Sequence, residues 1–142
     1  MKKYITLATI LVILDQLTKW FFQEKTIELS SWLSFTYVKN TGAAFGSLQG
    51  YNSILIIITI IILGICFYYF KNYKLPLALI IAGGIGNLID RIFFGFVRDF
   101  ISVSVWPVFN IADASNTIGV IFLAYVFYKE EKLYKAKNPK ES

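Results

Sequence analysis

Four apolar runs, each close to the roughly 20 residues a helix needs to cross a bilayer, leave this chain few ways to fold. They cover Tyr4 to Phe22, Ser53 to Phe70, Leu75 to Phe94 and Val108 to Tyr128. The apolar residues come in long runs instead of alternating stripes. Composition agrees, with 56% of residues hydrophobic and 16% charged, against about 25% charged in a soluble domain. The expected architecture is an all-α polytopic membrane protein, with four transmembrane helices in a single membrane-embedded domain over residues 1–142.

Met1-Lys2-Lys3 followed by apolar residues has the look of a secretory signal peptide. The run passes directly into Asp15-Gln16-Leu17-Thr18-Lys19, with no small-x-small cleavage site. A retained first helix is therefore expected, and four spans place both termini on one side. Lys2, Lys3, Lys71, Lys74, Lys129, Lys132, Lys135, Lys137 and Lys140 all fall on that side, which the positive-inside rule makes cytoplasmic. The opposite side carries five cations among six acids: Asp15, Glu24, Glu28, Asp90, Asp99 and Asp113. The net charge of +5 thus reports membrane sidedness and does not argue for nucleic acid. Residues 129–142 read as a flexible basic tail.

The link over residues 23–52 contains Ser34-Phe35-Thr36-Tyr37-Val38, aromatic and β-branched, with strand character. A small strand-bearing extracytoplasmic lobe is expected there, anchored at the headgroup level by Trp32, Phe35, Tyr37 and Phe45. The G-x-x-x-G spacing of Gly42 to Gly46 lies in a loop and carries little weight for dimerisation; a monomer is expected. The link between spans three and four alternates apolar and small polar residues, which suits a short extended segment, and Pro107 is placed to begin the fourth helix. Cys66, the lone cysteine, reads as a small buried hydrophobe.

Polar residues collect toward the outer ends of the spans. Asp15 and Lys19 share a helical face, as do Asn87 and Arg91, with Asp90 beside them; Asn110 and Asp113 are one turn apart. Gly83, Gly84 and Gly86 thin span three, so that another backbone or a substrate can approach. Scattering these groups over lipid would cost several kcal/mol each, so one outer-face pocket is expected. The chain has no histidine, which removes histidine-assisted serine or cysteine hydrolysis and H-E-x-x-H zinc sites. Carboxylate chemistry remains. Asp99 and Asp113, each at a boundary between helix and link, are the candidate pair: two carboxylates in one site share a proton near neutral pH. Spacing alone leaves open an ion-binding or transport site, and also ion pairs that lock packing, Asp15 with Lys19 and Asp90 with Arg91.

Five blocks in order carry a family resemblance: Asp15-Gln16-Leu17-Thr18-Lys19, Asn40-Thr41-Gly42-Ala43-Ala44-Phe45, Gly83 to Arg91, Val97-Arg98-Asp99-Phe100 and Phe109-Asn110-Ile111-Ala112-Asp113. The chain resembles the lipoprotein signal peptidases (signal peptidase II), bacterial membrane aspartic endopeptidases. That resemblance implies Asp99 and Asp113 as catalytic aspartates, and Asn40, Asn87, Arg91 and Asn110 as substrate-binding residues. Asp15, Lys19 and Asp90 would support the site, with no cofactor and no metal. It implies cleavage of diacylglyceryl-modified prolipoproteins before the lipidated cysteine. The reaction would take place near the outer face of the bacterial cytoplasmic membrane, among bilayer lipids, and be sensitive to globomycin-like cyclic peptides.

Overall fold

The computed structural model describes residues 1–42 and 50–138. Four helices in it are long and apolar enough to span a membrane: α1 (Lys2–Phe22), α2 (Asn52–Tyr69), α3 (Lys74–Phe94) and α4 (Ile111–Lys137). Helix α3 is the central one. Half of its apolar window is buried, against 11–17% for the other three, whose isoleucine- and aromatic-rich flanks stay exposed as surface for lipid. Cys66 packs in the core with Leu63, Leu77 and Ile81, as a small apolar side chain should.

Close helix contact depends on three glycines. A Cβ on Gly83 would overlap the Ala112 carbonyl oxygen and the Asn116 side chain; on Gly86 it would press Asp15 Oδ2 at 2.7 Å; on Gly119 it would meet the Pro76 carbonyl at 2.9 Å. Gly83 and Gly86 thus admit α4 and the Asp15 side chain of α1.

Four strands make one antiparallel sheet in the order β1-β2-β3-β4: β1 (Thr26–Ser30), β2 (Leu33–Asn40), β3 (Val97–Val103) and β4 (Trp106–Phe109). The lobe expected within residues 23–52 is therefore only half of the sheet. The extended segment after α3 pairs with it, Val38 opposite Asp99 and Asn40 opposite Val97. Gly95, at φ +79°, ends α3 in the left-handed conformation that turns the chain into β3. Phe22, Phe35 and Phe100 stack and seat the sheet on the end of α1, with ring centroids 4.4 and 4.9 Å from Phe22.

Two sequence expectations are corrected. Pro107 lies in β4, and α4 begins at Ile111; Asn110 starts the helix because it forms a reciprocal capping box with Asp113. The fourth helix also runs on to Lys137, so most of the stretch read as a flexible tail is helical. Glu131 and Lys135, at 2.6 Å, make the i,i+4 pairing that favours this. Lys140 lies outside the described residues.

Candidate active site

Sheet and helices meet at a polar cluster built from α1, α3, α4, β2 and β3, and among the described residues every buried side-chain nitrogen and oxygen in it has a partner. It divides into two halves. The first is ionic. Lys19, 1% exposed, places Nζ 2.8 Å from Asp15 Oδ2 and 3.5 Å from Asp90 Oδ2. The Arg98 side chain donates to Asp90 from Nη2 at 2.8 Å and from Nε at 3.2 Å, and its backbone N–H donates to the same carboxylate at 2.9 Å. Asp15 Oδ1 accepts the Ala112 N–H at 2.9 Å, tying α1 to the first turn of α4. Gln16 completes this half by accepting from Arg98 Nη2 at 2.9 Å and donating to the Gly86 carbonyl at 3.0 Å.

The second half holds Asp99 and Asp113 with neutral donors. Asn110 Nδ2 donates to Asp99 Oδ1 at 2.6 Å, and Asn40 Nδ2 donates to Asp99 Oδ2 at 2.9 Å. Asn87 Nδ2 donates to Asp113 Oδ1 at 2.7 Å. The Asn110 backbone N–H donates to Asp113 Oδ2 at 3.2 Å, while Asn110 Oδ1 accepts the Asp113 N–H at 2.9 Å. One asparagine therefore touches both carboxylates, because it is at once the last residue before α4 and the neighbour of β3. Asn87 Oδ1 accepts from Lys19 Nζ at 3.0 Å and from Asn110 Nδ2 at 3.2 Å, and so joins the two halves.

Asp99 is 1% exposed, and burial, followed by the nearby charge of Asp113, pushes its carboxyl up to about 7. The amides of Asn40 and Asn110 and the charge of Lys19 pull the other way and are outweighed. At neutral pH this carboxyl is poised between its two forms, as acid–base catalysis requires.

All nine residues singled out from sequence lie in or beside this cluster, with one partnership reassigned. Asp90 pairs with Arg98 and Lys19; Arg91, offered as its partner, instead donates from Nη2 to the Gly42 carbonyl at 3.2 Å. Helical geometry explains the difference, since adjacent residues on a helix point apart while the Gly95 turn brings Arg98 back over α3. Gln16 and Arg98 were not given roles from sequence. Their signal was membership of two of the five blocks, Gln16 beside Asp15 and Arg98 beside Asp99. Trp32 is exposed, whereas Phe35 packs in the aromatic stack. Phe45 and the Ala43-Ala44 part of its block lie outside the described residues.

Fold and site together define a polytopic membrane protein with two carboxylates held by asparagine amides where its helices meet a small sheet. The family described as Signal peptidase (SPase) II matches residues 7–129. The chain is 45% identical to the lipoprotein signal peptidase of Caldicellulosiruptor bescii, over 89% of this chain and 93% of that protein. It is 39% identical to that of Halothermothrix orenii, over 87% and 94%. A bacterial membrane enzyme solved by the in meso method at 2.3 Å superposes with a TM-score of 0.86 at 35% identity, over 100% of this chain and 94% of that one. The chain belongs to the signal peptidase II family. It is accordingly a membrane aspartic endopeptidase of bacterial inner membranes that acts on prolipoproteins.

Proposed function

We propose that Asp99 and Asp113 are the catalytic pair, and that the residue cluster around them divides into binding and supporting roles. The observation that carries this reading is the double engagement of Asn110, which ties both carboxylates into one unit without a cation. The ionised member of the pair takes a proton from water as that water attacks the scissile carbonyl carbon. The protonated member hydrogen-bonds the carbonyl oxygen and stabilises the charge that develops there. The tetrahedral intermediate then collapses with cleavage of the C–N bond, and the departing amine takes the proton the pair removed from water. The pair titrates as one unit. Asn40, Asn87, Asn110 and Arg91 line the substrate side, and Asp15, Lys19 and Asp90 hold the helices beneath it.

The substrate is a prolipoprotein carrying diacylglycerol on the cysteine after the cleaved bond. Helices α1 to α4 offer lipid-facing surface directly below the pair, so the acyl chains stay in the bilayer while the backbone reaches β3. The lysines at the opposite ends of the helices support an outer-face position for the sheet and the pair. The nine site residues can assemble within one copy, which supports a monomer with a single domain over residues 1–142. Globomycin-like cyclic peptides would compete by presenting backbone to Arg91 and the pair. The test is cleavage of one purified prolipoprotein with and without its diacylglyceryl group. Only the lipidated form should yield a product beginning at the modified cysteine, and equal cleavage of the unmodified form would overturn the substrate assignment.

A further inference from the structure

At the end of the helices away from the sheet lies an apolar groove of about 400 Å³ whose lining includes none of the polar cluster's residues. Ile5, Ala8 and Val12 of α1 form one wall, Phe67 of α2 and Phe70 just after it the other, and Ile81 of α3 the floor. Its one hydroxyl, on Thr9, is turned inward to the Ile5 carbonyl at 3.0 Å. The lining side chains therefore offer a ligand no free hydrogen-bond donor and suit hydrocarbon.

Its length matches one leaflet. On α1 the lining runs from Met1 to Ile13 and on α3 as far as Ile85, eleven residues from Lys74. At 1.5 Å per residue both walls are about 16–18 Å deep, close to half of a hydrocarbon core of about 30 Å. The mouth is basic. Lys2 and Lys3 flank the α1 wall, and Lys71 and Lys74 follow the α2 wall and open α3. All four are exposed. Among the described residues Lys2, Lys71 and Lys74 make no ion pair, and Lys3 lies only over the Tyr4 ring at 5.0 Å. Among the described residues the acids at this end are on α4 and already engaged, Glu130 with the Tyr73 hydroxyl at 3.2 Å and Glu131 with Lys135.

The geometry points to a binding site for an anionic phospholipid, with one acyl chain along the α1–α2 groove and its phosphate among Lys2, Lys3, Lys71 and Lys74. A leaflet-deep apolar slot under unpaired lysines complements both parts of such a lipid, and basic pockets between membrane helices recognise anionic headgroups. A neutral lipid satisfies only the slot. The site is separate from the carboxylate pair and does not rest on the proposed catalytic roles.

The test is native mass spectrometry of the full-length protein released from nanodiscs of phosphatidylcholine doped with phosphatidylglycerol, with prolipoprotein cleavage measured in parallel as the check on folding. Wild type should retain phosphatidylglycerol in preference to phosphatidylcholine. Lys71→Gln with Lys74→Gln should weaken that retention at least tenfold, from about fivefold per lysine. Ala8→Phe, or Val12→Phe if the first fails to fold, should abolish it by filling the slot, with cleavage kept in each case. Undiminished phosphatidylglycerol in either class of variant, or equal retention of the neutral lipid, would overturn the proposal. So would displacement of the lipid by prolipoprotein together with a raised KM in the slot-filling variant, because the groove would then be a peptide path.

Discussion

Four aspartates sit within one polar cluster, and two of them are treated in the opposite way to the other two. Asp15 and Asp90 are neutralised by Lys19 and Arg98 at 2.8 Å each. Asp99 and Asp113 receive asparagine amides and, among the described residues, no ion pair. A carboxylate matched by a cation is committed to its ion pair and serves packing. One matched by neutral amides keeps its proton affinity high when buried, and Asp99 at about 7 does so. The contrast teaches that a buried acid becomes reactive by what is withheld from it.

The sharpest way to break this contrast is to neutralise each half in turn. Asp99→Asn or Asp113→Asn should lower the rate of prolipoprotein cleavage by about 10³-fold or more, the range of a lost acid–base group, while the protein still elutes as a folded species. Turnover near wild type in either variant would falsify the pair. Asp90→Leu should have the reverse profile. Removing one partner of a buried ion pair costs about 3–5 kcal/mol, so folded yield and thermal midpoint in detergent fall first, and whatever folds still cleaves. Asp15→Asn should behave likewise; unchanged yield with lost turnover would move Asp15 into the reactive half.

Asn110→Ala tests the link between the two carboxylates. It removes a helix cap worth about 1 kcal/mol and frees Asp99 Oδ1, so a drop in rate of about tenfold or more should accompany a small loss of stability. The smallest effects concern pH. Because the folded Asp99 carboxyl is raised above its ordinary value to about 7, the native state keeps a proton that the unfolded chain releases. Its contribution to stability is therefore greatest below about pH 4 and is lost as pH rises toward 7. Thermal midpoints of wild type should carry that slope, and Asp99→Asn should flatten it. The alkaline limb of the rate profile should fall near pH 7 and shift upward in Asn40→Ala, which removes a donor that favours the anion.

Much of this was legible in the residues because hydropathy and charge act locally. The four spans follow from run length, and the separation of basic from mixed-charge ends follows from lysine positions. The collection of polar groups follows from helical spacing, as with Asp15 and Lys19. Long-range pairing was less legible. That β3 would join β2, so that Asn40 reaches Asp99, depends on strand partners nearly sixty residues apart, which no local pattern fixes. The start of α4 was misplaced for a related reason. Pro107 suits a helix start or a strand, and the Asn110–Asp113 box decides between them. Arg98 was passed over because its partner Asp90 lies across the Gly95 turn.

The proposed pair is also close in sequence, with Asp99 on β3 and Asp113 on the first turn of α4, joined by the β3–β4 hairpin. In a chain made from its N-terminus, everything that steadies the site from α1 and α3 is synthesised before the second carboxylate exists. The order of synthesis thus acts as a safeguard. A partly inserted chain has the scaffold without the proposed pair, which is complete only when the last helix enters the membrane.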